Sequence, residues 1–138
     1  MIKRIKIGAG SCGLAAGAQK VLDYFKKETS GYEIVEVGCI GHCYAEPLVE
    51  VETDNGSVFY GNVTADPGTI KKILELDEEI RFIPAESRTS KELPKVTKLA
   101  GRINPVSIEE YEENGGYSGL KKACLLYTSD AADEEDSV

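Results

Sequence analysis

No apolar run in this 138-residue chain approaches the ~20 residues that a membrane-spanning helix needs. The opening MIKRIKI interleaves bases with isoleucines, so it lacks the apolar stretch of a secretion signal. Basic charge is also short: 16 Lys and Arg stand against 24 Asp and Glu, for a formal net charge of −8. Five of those negative charges (Asp130, Asp133, Glu134, Glu135, Asp136) lie in residues 124–138, which hold no Lys or Arg, so the body is only mildly acidic. With no basic surplus to neutralise phosphates, nucleic-acid binding is not expected. There is no internal repeat, and His42 is the sole histidine. The expectation is a cytoplasmic protein without membrane insertion.

What the chain does have is 41% hydrophobic residues, enough for the core of one modest domain. Ile2, Ile5 and Ile7 predict a first strand ending at Gly8. Leu14, Ala18, Val21, Leu22 and Phe25 recur at helical spacing and predict an amphipathic helix from Leu14 to about Lys27. YEIVEV (32–37) reads as a second strand. LVEVET (48–53) and SVFYGNV (57–63), joined at Asp54-Asn55-Gly56, read as a hairpin. Asp66-Pro67 opens a further helix carrying Ile70, Ile73 and Leu74. The first two strands need a helical crossover and so lie parallel, while the hairpin adds antiparallel strands. The fold class is therefore α/β. The expected core is Ile5, Ile7, Val21, Leu22, Phe25, Ile34, Val49, Val51, Phe59, Ile70 and Leu74.

Residues 78–100, with Pro84 and Pro94 and no sustained period, read as a linker. In the piece from 101 onward, Ser107 and Glu110 form an S-x-x-E capping signal, and Gly115-Gly116 would end the short helix that follows. CLLYTSDAADE, from Cys124, resembles the in-frame translation of a sequencing-library adapter. Residues 124–138 are accordingly expected to be a non-native tail.

Two readings compete for the stretch GAGSCG (8–13). Gly8, Gly10 and Gly13 match G-x-G-x-x-G after a strand and before a helix, with Glu33 or Glu36 as the ribose acid of a dinucleotide loop. The continuation disagrees, because the second strand leads into a cysteine loop and a hairpin rather than another helix and parallel strand. The second reading uses Cys12, Cys39 and Cys43. In a β-α-β unit the ends of both parallel strands lie on one sheet edge, so these three thiols are expected to converge. Thiolates gathered among glycines suit an iron–sulfur cluster. The Cys39-x3-Cys43 spacing is not that of a C-x-x-C dithiol.

GAGSCGLAAGA, VGCIGHCYAEPLVEV and FYGNVTADPGTIKKIL together resemble the N-terminal thioredoxin-like ferredoxin domain of the NADH-binding flavoprotein subunit of NADH oxidoreductases and of NAD(P)-linked, electron-bifurcating hydrogenases and formate dehydrogenases. The resemblance implies a thioredoxin-like β-α-β-β-β-α sandwich over residues 1–77. It implies electron transfer and a [2Fe-2S] cluster with Cys12, Cys39 and Cys43 as metal ligands. KLAGRINPVSIEEYEENGGYSGLKKA (98–123) resembles the start of the family's FMN- and NADH-binding domain, placed here at 101–123. The FMN, NAD and [4Fe-4S] sites of the whole subunit would lie beyond this piece, which alone would not be catalytic. The implied partners are the other subunits of such a complex, including a ferredoxin-like one.

One departure matters. The family's first-loop C-x4-C places fall on Gly8 and Gly13, and Cys12 is shifted by one. Three thiolates do not complete a ligand set of four. Either another group serves as the fourth ligand, or the domain is a cluster-free docking module. A small structural zinc site, with His42 joining the cysteines, is the third alternative. Otherwise His42 is an exposed loop residue. Ser11 is expected to cap the first helix, and Pro47 to orient the strand that follows it.

Overall fold

A computed structural model describes residues 1–83 and 95–133. The chain divides into two compact units, Met1–Pro105 and Val106–Val138.

The first unit is built on a five-stranded sheet in the order β2-β1-β3-β4-β5. Its strands are β1 (Ile2–Gly8), β2 (Glu33–Val37), β3 (Val49–Thr53), β4 (Gly56–Tyr60) and β5 (Arg81–Phe82). β1 and β2 are parallel, β3 runs antiparallel to β1, and β4 antiparallel to β3. A parallel β-α-β followed by an antiparallel hairpin and a helix is the order that the sequence predicts, and it is the thioredoxin-like arrangement that the resemblance implies. The hairpin turns on Asp54 and Asn55, with Gly56 at φ +122°. Its loop is tied by the Asn55 amide, which donates to Thr53 Oγ1 at 3.2 Å.

The predicted first helix is two helices. α1 (Ser11–Ala15) starts three residues earlier than the apolar spacing indicates, and α2 (Ala18–Glu28) follows a break at Gly17. Gly17 has φ +102°, a conformation that favours glycine over any residue with a Cβ. The break turns Leu14 out of the stripe, and its side chain is exposed. α3 (Pro67–Leu74) begins where the sequence places it, with Asp66 accepting a hydrogen bond from the Thr69 amide at 2.9 Å. The Thr64 hydroxyl and the Thr69 amide hold the Asp66 carboxyl down to about 2.

α2 and α3 share one core with a single face of the sheet. Ala18, Val21, Leu22 and Phe25 of α2 and Ile70 and Ile73 of α3 meet Ile5, Ile7, Val49, Val51 and Tyr60. Each large side chain so buried contributes roughly 1.5–3 kcal/mol relative to exposure. Three expected core positions are displaced. Tyr60, not Phe59, is buried, because the hairpin register pairs Tyr60 with Val49 and puts Phe59 opposite Glu50 on the other face. Ile73 takes the innermost place of α3, and Leu74, like Ile34, packs at the margin. On the face that carries Phe59, Lys6 pairs with Glu50 at 3.6 Å and with Glu52.

Residues 78–100 are not all linker. Arg81 and Phe82 pair with Tyr60 and Phe59 and extend the sheet by one strand. Two adjacent residues are too few for a period to register in the sequence. The part of the expected linker at 84–94 lies outside the described residues. The Gly38 amide donates to the Ile103 carbonyl at 3.1 Å, which ties the 99–105 segment to the first unit beyond the expected boundary at 101.

In the second unit, Ser107 caps α4 (Ile108–Glu113) by accepting from the Glu110 amide at 3.2 Å. Gly115 has φ +87°, and the rings of Tyr111 and Tyr117 meet edge-on with centroids 5.1 Å apart. α5 (Ser118–Asp133) runs without interruption through the expected tail junction at 123–124, and residues 134–138 lie outside the described residues. Among the described residues no helix is long and apolar enough to cross a membrane.

Candidate functional site

The site begins where β1 and β2 end side by side. Gly8 and Val37 are register partners, and the Ala9 amide donates to the Val37 carbonyl at 2.8 Å. Two loops leave this edge together, one entering α1 and one running from Gly38 to the 3-10 turn at Cys43–Ala45. They touch at backbone level. A Cβ built on Gly10 would lie 3.2 Å from both Cys39 Cβ and Cys39 N. Glycine at position 10 is what lets the loops approach this closely.

The loops that carry the three expected thiols meet here. Cys39 Sγ lies 3.6 Å from Cys43 Sγ. The Gly41 amide donates to Cys39 Sγ at 3.2 Å, with Gly41 at φ +95° folding the loop back on itself. The Cys43 thiol is pushed up to about 11 by the neighbouring thiols of Cys12 and Cys39. None of the three is in a disulfide, and Cys12 and Cys43 are exposed. Among the described residues no three His, Cys, Asp or Glu side chains are already arranged to hold a single metal ion. Cys39 and Cys43, with Cys12 on the adjoining loop, offer three of the four ligands of a [2Fe-2S] cluster, and the fourth has no thiol.

His42 is not an exposed loop residue. It is 7% exposed, and its ring meets Tyr44 and Phe82 edge-on at centroid distances of 5.9 and 5.7 Å. Through this contact β5 holds down the cysteine loop. Ser11 does not cap α1: Gly10 is the capping residue and has no side chain to accept from the helix start. The Glu46–Pro47 peptide, just before β3, is cis.

Glu46 joins the site beyond the residues that the motifs mark. It is 6% exposed, and its carboxylate accepts the Leu48 amide at 2.8 Å. A Cβ on Gly8 would lie 2.9 Å from Glu46 Oε2, and one on Gly13 would lie 3.1 Å from the same oxygen. A buried carboxyl thus fills the space beside the two glycines at the base of the site. Burial pushes this carboxyl above the usual range, against the smaller opposing effect of the Leu48 amide. One signal was legible: Glu46 is the only charged residue in GCIGHCYAEPLV.

No family model and no curated protein matches the chain. Among solved structures, the chain is similar to the wild-type thioredoxin-like [2Fe-2S] ferredoxin from Aquifex aeolicus, at 18% identity and a TM-score of 0.45. The match covers 59% of this chain and 99% of that one.

Proposed function

We propose that the first unit of this chain is an iron–sulfur electron-transfer domain in which Cys12, Cys39 and Cys43 hold a [2Fe-2S] cluster. The observation that carries this reading is the pair of Cys39 and Cys43 sulfurs 3.6 Å apart, packed against the loop that leads into Cys12 at the same sheet edge. The Gly41 amide on Cys39 Sγ supports it, since amides directed at sulfur stabilise the negative charge of a ligating thiolate. When bound, such a cluster accepts and releases one electron at a time. The protein's own part is to set the sulfurs. Gly10 permits loop contact, Gly41 turns Cys39 toward Cys43, and the packing of His42 on Phe82 fixes the second loop. A donor other than these three thiols completes the ligand set.

We place this domain at the N-terminal side of a longer NADH-oxidising flavoprotein subunit, on the resemblance of its three motifs. FMN, NAD and [4Fe-4S] centres belong to the remainder of that subunit. Its partners are the other subunits of an NADH dehydrogenase or hydrogenase complex, with a cytoplasmic location.

Anaerobic reconstitution with ferrous iron and sulfide tests the reading. The expected product has visible charge-transfer bands that bleach with dithionite, with iron and sulfide in equal amounts. Cys39→Ser and Cys43→Ser are expected to lose the bands. A folded but colourless product would overturn the proposal in favour of a docking module. Stoichiometric zinc released by thiol reagents would overturn it in favour of a structural zinc site.

A further inference from the structure

Cys39 and Cys43 sit in one loop that pivots on Gly41, and their sulfurs are 3.6 Å apart while still reduced. A disulfide requires that gap to close to about 2.05 Å, a movement within reach of side-chain rotation in a short loop. Cys12 is placed differently. It lies on α1, where the Leu14 amide bonds to the Gly10 carbonyl and the Ala16 amide to the Cys12 carbonyl, and Gly10 is packed against Cys39. Drawing Cys12 into a covalent bond would join two separate loops and pull on that helix, whereas Cys39 and Cys43 belong to one loop that already brings their sulfurs together.

We propose that, in the cluster-free chain, Cys39 and Cys43 form a reversible disulfide on reaction with low-molecular-weight disulfides, leaving Cys12 reduced. Oxidised glutathione represents the oxidant class. The thiolate of one cysteine attacks a glutathione sulfur, breaking the glutathione disulfide and releasing one glutathione thiolate. The second cysteine gives up its proton and attacks the mixed disulfide, releasing the second glutathione. Two protein thiols are oxidised by two electrons, and one oxidised glutathione is reduced to two thiols. The disulfide uses two of the sulfurs that the proposed cluster needs, so the two states exclude each other. The inference rests on the sulfur geometry and holds whether or not a cluster is ever bound.

The test uses the full chain in a Cys124→Ser background, free of iron, treated anaerobically with oxidised glutathione and then with iodoacetamide. The expected result is an intact mass about 2 Da below the reduced chain before alkylation. One of the three thiols is then alkylated, and dithiothreitol restores all three. No Lys or Arg separates Cys39 from Cys43, so their disulfide stays within the tryptic peptide 28–71. A bond to Cys12 would join that peptide to peptide 7–20. Cys12→Ser is expected to keep the mass loss, and Cys39→Ser and Cys43→Ser to stop at a glutathione adduct. Persistence of three alkylatable thiols, or a cross-link between the two peptides, would overturn the proposal. Should a serine variant fail to fold, the peptide map of the parent chain decides alone. A chain that takes up a cluster yet forms no disulfide refutes this inference without touching the cluster reading.

Discussion

The ring of Phe82, on the last strand of the sheet, meets the ring of His42 edge-on at 5.7 Å, in the middle of the cysteine loop. Tyr44 closes the group at 6.0 Å from Phe82. The loop that carries Cys39 and Cys43 is therefore held by a strand almost forty residues downstream. Phe82→Ala is expected to cost about 1–2 kcal/mol, from two lost aromatic contacts and partial exposure of His42. Urea unfolding measures the loss. The His42 ring resonances should move toward solvent-exposed values in the same variant, and an unchanged His42 environment would refute the anchoring role.

Gly10 sets the distance between the two thiol-bearing loops. Gly10→Val puts a branched side chain where even a Cβ lies 3.2 Å from Cys39. The loops must part, and iron uptake on reconstitution is expected to fall several-fold while far-UV circular dichroism stays near that of the parent. Undiminished uptake would show that loop contact is not needed.

The Glu46 carboxyl is raised by burial, and this fixes the sign of a pH effect. The unfolded chain ionises Glu46 more readily than the folded one, so its ionisation favours unfolding as pH rises above the ordinary value of 4.5. Glu46→Gln keeps an oxygen for the Leu48 amide and removes the buried charge. The variant is expected to have a higher urea midpoint at pH 7 than the parent, with the difference vanishing toward pH 4. A lower midpoint at pH 7 would mean that the ionised carboxylate is itself required.

Tyr60 is 1% exposed, and among the described residues its hydroxyl has no hydrogen-bond partner. An unsatisfied buried polar group costs about 1–3 kcal/mol. Tyr60→Phe removes that group and keeps the ring, so it is expected to stabilise the chain by about 1 kcal/mol in denaturant unfolding. A destabilised variant would reveal a partner for the hydroxyl in solution.

Asp66 works in the opposite sense to Glu46. Its carboxyl is held down to about 2 by the Thr64 hydroxyl and the Thr69 amide, so its contribution is present above the ordinary value of 3.8 and lost as pH falls toward 2. Asp66→Ala is expected to lower the melting temperature by a few degrees at pH 7, and by less at pH 2. Equal effects at both pH values would argue against the cap.

Several features are written locally in the sequence. Alternation marks β1 and β3, helical spacing marks α2, Asp66-Pro67 starts α3, and Asp54-Asn55-Gly56 closes the hairpin. That the loop of Cys12 comes beside the loop of Cys39 and Cys43 also follows from order alone, because parallel strands joined by a helix must end on the same edge. Tertiary packing decided the rest. Whether Tyr60 or Phe59 faces the core depends on the strand paired beside it, since one step of register exchanges the faces. Phe82 joins the sheet by pairing with β4 and resting on His42, and neither contact leaves a trace in residues 78–83. Glu46 is buried because Gly8 and Gly13, more than thirty residues away, have no side chains to occupy that space. Periods and turns are properties of neighbours along the chain, whereas register, burial and contact across loops depend on residues that only folding brings together.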